Sequence, residues 1–214
     1  MTELRDSLVA QPVTASETVF EGAVWGVRRD TFDFAGQTLT REVIEHPGAV
    51  AVLALDDADQ VTVIRKYRHP VGAWAWELPA GLLDVADEAP LAAAARELGE
   101  EVDLTATTWH VLVDIWPTPG GSSEAVRVYL ARGLGDVPAE RRHVREGEEA
   151  DMAVERVDLD DLHEAVLAGH LHNPTLVVGV LTAHALRARD WAGLQAGDAP
   201  WPEHPRFRPS EAGA

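Results

Sequence analysis

Residues 81–104 read GLLDVADEAPLAAAARELGEEVDL. Seven acids and a single base, Arg96, are threaded through Leu, Ala and Val. Pro90 suits the first turn of a helix and Asp87 or Glu88 can cap it, so the pattern predicts a helix over 89–102. Leu91, Ala95, Leu98 and Val102 fall at i, i+4, i+7 and i+11 and form one apolar stripe. Glu97, Glu100 and Glu101, at i, i+3 and i+4, are expected together on the opposite side. Three carboxylates within one turn destabilise a helix unless something neutralises them. Two readings follow: a solvated acidic face, or a site for a hard divalent cation such as Mg²⁺, which takes oxygen ligands. Just upstream, the Pro/Gly loop WELPAG (76–81) can present a backbone carbonyl beside the helix start. Glu77, a lone acid between apolar residues, is expected to pair with Arg96. The run Ala92–Ala95 keeps the helix slim, so that a sheet can approach it closely.

Outward from this helix the chain reads as strands. Residues 1–16 look like a loose leader. Residues 18–45 are strand-like around the turn AGQ (35–37), and 48–69 read as a hairpin about DDAD (56–59). Beyond the helix, 108–118 and 124–134 read as strands flanking the loop PTPGGSSE (117–124). Residues 135–150 are loop-like and charged. A strand near 150–159, a short helix near 158–169 and a longer one from Asn173, with Pro174 at its first position, complete the pattern. The expected fold class is α/β or α+β, with helices covering a mixed sheet. The expected organisation is an N-terminal β-element over 1–45, a main domain over 46–192 and a flexible Pro-rich tail over 193–214.

Composition narrows the function classes. The 214 residues are long enough for one sizeable core. The formal net charge of −18 argues against nucleic acid and anionic membrane as partners. No 18-residue apolar run predicts a membrane span, and no signal peptide is read at the N-terminus. There is no Cys, so thiolate and disulfide chemistry are excluded and a cytoplasmic address is expected. Seventeen of the 18 basic residues are Arg, the exception being Lys66, so anion binding is expected to fall to Arg.

The 81–104 stretch resembles the Nudix box, G-x5-E-x7-R-E-U-x-E-E-x-G-U with U aliphatic. The matching residues are Gly81, Glu88, Arg96, Glu97, Leu98, Glu100, Glu101 and Leu104. There are two departures. Six residues instead of five separate Gly81 from Glu88, and Asp103 stands where the pattern has its second Gly, at a cost of about 1 kcal/mol if that position is left-handed. Neither removes an acid. The approach ELPAGLLD (77–84), the motif YRH (67–69) and Pro119, about fifteen residues past the box, are similar to the ADP-ribose pyrophosphatases of that family, of the actinobacterial type.

The resemblance implies a Nudix α/β/α sandwich with an added N-terminal antiparallel β-element, and hydrolysis of ADP-ribose to AMP and ribose 5-phosphate. It implies two or three Mg²⁺, or Mn²⁺ in their place, held by Glu97, Glu101 and the Ala80 carbonyl, with Glu100 in support. Arg96 would orient the ligand helix. The catalytic base is expected in the loop RRHVREGEEADM (141–152), with Glu149 ahead of Glu148. A homodimer is implied, in which the N-terminal β-element brings Trp25 and Arg41 to the adenine. Arg68 and, less directly, Arg28 are the expected pyrophosphate ligands. For Trp25 the competing reading is core packing, and for Glu149 a plain surface charge cluster. Two rival functions are a Nudix pyrophosphatase for a GDP-sugar, dinucleotide or oxidised nucleotide, and a non-catalytic ADP-ribose-sensing module. The retention of every box acid and the lack of a basic recognition segment weigh against the second.

Overall fold

A computed structural model describes residues 4–145 and 151–208. The chain divides into two compact units. One holds Met1–Gly48, Trp116–Ala125 and Trp201–Ala214, the other Ala49–Ile115 and Val126–Pro200.

In the first unit, β1 (Val13–Glu21), β2 (Gly26–Phe34) and β3 (Gln37–Glu45) form a three-stranded antiparallel sheet. Pairing begins at Val13, opposite Phe32, so the expected leader already contains strand. Ala35 and Gly36 both have positive φ (51° and 77°), and they close the two-residue β2–β3 turn that the right-handed twist of a hairpin favours. Arg28 and Arg29 are held by acids of this same unit.

The second unit is built on a mixed sheet of β4 (Ala49–Leu55), β5 (Gln60–Arg68), β8 (Leu104–Ile115), β9 (Val126–Asp136), β10 (Ala153–Asp158) and β11 (Gln195–Ala196), in the order β10-β5-β4-β9-β8-β11. Two short strands, β6 (Ala73–Glu77) and β7 (Ala80–Leu82), pair with β5 and β4. β4 and β9 run parallel, and Val50 through Leu55 are fully buried on both faces. The unbroken apolar run AVAVLAL is what a doubly covered central strand requires.

Among the described residues, three α-helices cover the sheet: α1 (Pro90–Val102), α2 (Leu159–Leu167) and α3 (Pro174–Arg187). Ala51, Leu53 and Leu55 join one core cluster with Leu159, Leu162, Leu176, Val180 and Ala183 of α2 and α3. α1 packs on β7, β8 and β4. The α3 cap is as expected: Asn173 Oδ1 accepts from the Leu176 N–H at 3.1 Å, with Pro174 at the first position.

The segment expected to be a flexible tail is held down as far as residue 208. In the second unit β11 pairs with β8, and Arg127 donates to the carbonyls of Ala199 (2.7 Å) and Pro200 (3.2 Å). In the first unit Trp201 and His204 are buried, and Trp116 Nε1 donates to Glu203 O at 3.2 Å. Two buried rings supply apolar burial that the Pro-rich composition conceals.

Candidate active site

α1 starts one residue later than expected and is capped differently. Ala89 occupies the cap position with no side-chain bond, and Asp87 adopts φ 60°. Glu88 turns instead to Arg96, its two oxygens accepting from Nε and Nη2 at 2.9 Å each. Arg96 Nη1 also donates to Glu97 (2.5 Å) and Glu100 (3.0 Å). One guanidinium therefore gathers three of the box acids. This bonding lowers the pKa of Glu88, chiefly through its hydrogen bonds to Arg96, and raises that of Arg96. The expected Arg96–Glu77 pair does not form. Glu77, 2% exposed, accepts a bidentate bond from Arg68 at 2.8 and 2.6 Å. In the β5–β6 pairing Glu77 lies opposite Ile64, and Arg68, four residues from Ile64, shares that face of the sheet and reaches back along it to the carboxylate.

Nor do the three helix acids share a solvated side. Glu101 is 1% exposed, whereas the Glu97 and Glu100 side chains are 13% and 36% exposed. Its Oε2 accepts from the Ala80 N–H at 2.8 Å, and its Oε1 takes the Lys66 ammonium. Burial pushes the Glu101 carboxyl above its usual range, against the opposing pull of Lys66 and of the Ala80 amide. Glu97 lies against the backbone one residue further on. A Cβ added to Gly81 would stand 2.5 Å from Glu97 Cγ and closer still to its carboxyl group. The box glycine is thus a cradle for a box acid, and β7 gathers Ala80, Gly81, Glu97 and Glu101 at one place.

The donors at that place are oxygens only, and they fit a hard divalent cation by type. Among the described residues, no group of three or more acids or imidazoles is already arranged as a metal cage. The carboxylates are held by the chain's own cations, Glu101 by Lys66 and Glu97 and Glu100 by Arg96. Beside α1 lies an open hollow of about 940 Å³ bordered by Arg96, Glu100, Arg141, Arg142 and His143.

The remaining expected site residues are distributed as follows. Arg68 is in the second unit and engaged with Glu77. Trp25, Arg28 and Arg41 belong to the first unit. Trp25 is 44% exposed, its ring 6.2 Å from that of Phe20, so core packing is the wrong reading for it. Arg28 is held by Asp30 (2.8 Å) and Glu45 (2.5 Å), and Arg41 donates to the carbonyl of Thr40. Glu149 and Glu148 lie outside the described residues. Sequence reasoning missed Lys66 as a site residue. Its signal was there: the one lysine of the chain, on a strand two residues before an arginine expected in the site.

The geometry and the comparisons agree on the class. A NUDIX domain model matches residues 45–175, and the chain belongs to the Nudix family of hydrolases. It is 45% identical over 192 residues to an ADP-ribose pyrophosphatase of Mycobacterium tuberculosis, covering 89% of this chain and 91% of that one. An ADP-ribose pyrophosphatase of Bacillus subtilis is 35% identical over 148 residues, 69% of this chain and 78% of that one. A solved structure of an ADP compounds hydrolase superposes with a TM-score of 0.70 at 21% identity, covering 86% of this chain and 98% of that chain, and this likeness supports the fold. Hydrolases of this family generally work with divalent metal ions, consistent with the oxygen-rich donor set. Among the described residues no helix is long and apolar enough to cross a membrane.

Proposed function

We propose that the chain hydrolyses ADP-ribose to AMP and ribose 5-phosphate in the cytoplasm, with two or three Mg²⁺ or Mn²⁺ at Glu97, Glu101 and the Ala80 carbonyl. The observation that carries this reading is the meeting of Glu97 and Glu101 at the Ala80–Gly81 backbone, in a chain 45% identical to a named ADP-ribose pyrophosphatase. Bound divalent ions would neutralise the pyrophosphate and acidify the attacking water. The water oxygen forms a new bond to one phosphorus, and the bond from that phosphorus to the bridging oxygen breaks. The bridging oxygen leaves on the other phosphate. Glu149 accepts the water's proton. Arg96 holds Glu97 and Glu100 in place, with Glu88 fixing the guanidinium.

Substrate is bound by Arg68 and Arg28 at the pyrophosphate and by Trp25 and Arg41 at the adenine, within a homodimer formed through residues 1–45. An exposed Trp25 is available to stack on a base. Residues 46–192 are the hydrolase domain. The test is AMP release from ADP-ribose beside a panel of GDP-sugars, dinucleotides and oxidised nucleotides, with and without EDTA. Preference for another member of the panel overturns the substrate, and turnover that survives EDTA overturns the metal.

A further inference from the structure

The chain uses Arg at every basic position except 66. That one lysine is 8% exposed, and its ammonium touches Oε1 of the most deeply buried box acid, Glu101. Two residues on, along the same face of β5, Arg68 holds another buried acid, Glu77. The two pairs differ in kind. Arg68 grips both oxygens of Glu77 in a fixed fork, one donor to each. Lys66 offers a point charge on a flexible stem and leaves Oε2 to the Ala80 amide. A buried carboxylate needs a counter-charge in the folded chain, and removing that charge alone is strongly destabilising. A divalent ion at Glu101 needs the same oxygen.

We propose that Lys66 is a built-in placeholder cation: it neutralises Glu101 while the chain is metal-free, and it gives up Oε1 when a divalent ion enters. This rests on the reading of Glu97 and Glu101 as metal ligands. Metal entry is then an exchange of one cation for another, and Lys66 sets the metal concentration at which the site fills. Lysine is suited to the position because it can let go, whereas an arginine fork would hold.

Mn²⁺ binding to the full chain, followed by electron paramagnetic resonance at one fixed pH, tests the idea. Lys66→Gln and Lys66→Met should bind Mn²⁺ about tenfold tighter than the parent or more, as expected when a competing buried charge is removed. They should also melt lower than the parent without metal, and saturating Mn²⁺ should close that gap. Lys66→Arg should bind no tighter than the parent. A merely structural Lys66 would lower the melting temperature equally with and without Mn²⁺. Equal or weaker Mn²⁺ binding by the Gln and Met variants overturns the proposal and leaves the metal site standing. Failure of every protein, parent included, to bind Mn²⁺ overturns both. If the neutral variants do not fold, the parent itself serves. Lys66 is the only lysine, so mass spectrometry can follow its acetylation alone. Mn²⁺ should speed that reaction severalfold, and an unchanged rate overturns the exchange.

Discussion

The substitution Gly81→Ala tests the cradle directly. Gly81 has ordinary backbone angles, so an alanine adopts them without strain and the β4–β7 pairing of Val50 with Gly81 survives. The new methyl cannot be accommodated where Glu97 now lies. It would stand 2.5 Å from Cγ, where ordinary contact begins at 3.4 Å, and the carboxyl group is nearer still. The side chain must retreat by about 1 Å or more, and it can, because the carboxyl group is the far end of a flexible side chain, at the expense of its bond to Arg96. The folded state therefore loses little. The cost falls on the chemistry, since misplacing a catalytic group by about 1 Å costs on the order of 10²-fold. AMP release from ADP-ribose should fall by about 10² in kcat/KM, while the melting temperature stays within about 2 °C of the parent. Activity within threefold of the parent would refute the reasoning, because Glu97 would then not need the place that Gly81 leaves open.

Gly99→Ala is the companion on the same helix. Its nearest neighbours would be Val137 Cγ2 at 3.8 Å and Leu104 O at 3.9 Å, both ordinary contacts, so calorimetry should show a gain of about 0.5–1 kcal/mol. Glu88→Gln should destabilise the chain by about 1 kcal/mol at pH 7, after allowance for partial exposure. The pKa of Glu88 is lowered from 4.5, so its stabilisation is present above that pH and fades as pH falls through the folded value. Melting curves of the two proteins should therefore converge in acid. Glu149→Gln should lower kcat by about 10²-fold with Mn²⁺ binding near normal, and Glu148→Gln should do much less; equal loss in both would move the base elsewhere. Asp103→Gly should leave stability within about 1 kcal/mol of the parent, because relief of a left-handed residue is offset by loss of the Arg145 ion pair, which a denaturant titration measures.

What was legible in the sequence was what depends on neighbours along the chain. The bounds of α1, the Asn173 cap and the β4–β5 turn all follow from residues within a few positions of one another. The family pattern likewise located Glu97, Glu101 and Ala80, which the fold brings to one place. Pairings across strands were not legible. Arg96 and Glu77 look like partners until β5–β6 pairing puts Arg68 and Glu77 on one face, where they bond, and Arg96 is left to Glu88. The burial of Glu101 was open to a closer reading. Three residues at about 100° each put it about 60° from Leu98, on the shoulder of the apolar stripe and not opposite it. The tail went wrong because Pro and Gly content hides two residues, Trp201 and His204, that are buried.

The second departure from the family pattern also has a physical account. Asp103 takes the left-handed conformation that its position demands, at φ 57°, and ends α1 with its N–H on the Leu98 carbonyl. A glycine would do this with less strain, but it has no side chain. The Asp103 carboxylate receives Arg145 Nη2 at 2.7 Å, and Arg145 Nε also donates to the Glu100 carbonyl at 3.3 Å. The end of α1 is thereby bonded to Arg145, the last described residue before the segment that holds Glu149. Asp is among the non-glycine residues that best tolerate a left-handed backbone, so the strain is modest, and one ion pair to a partly buried guanidinium is of similar size. The exchange of glycine for aspartate is near neutral for stability. What it adds is a side chain that ties the C-terminal end of α1 to Arg145.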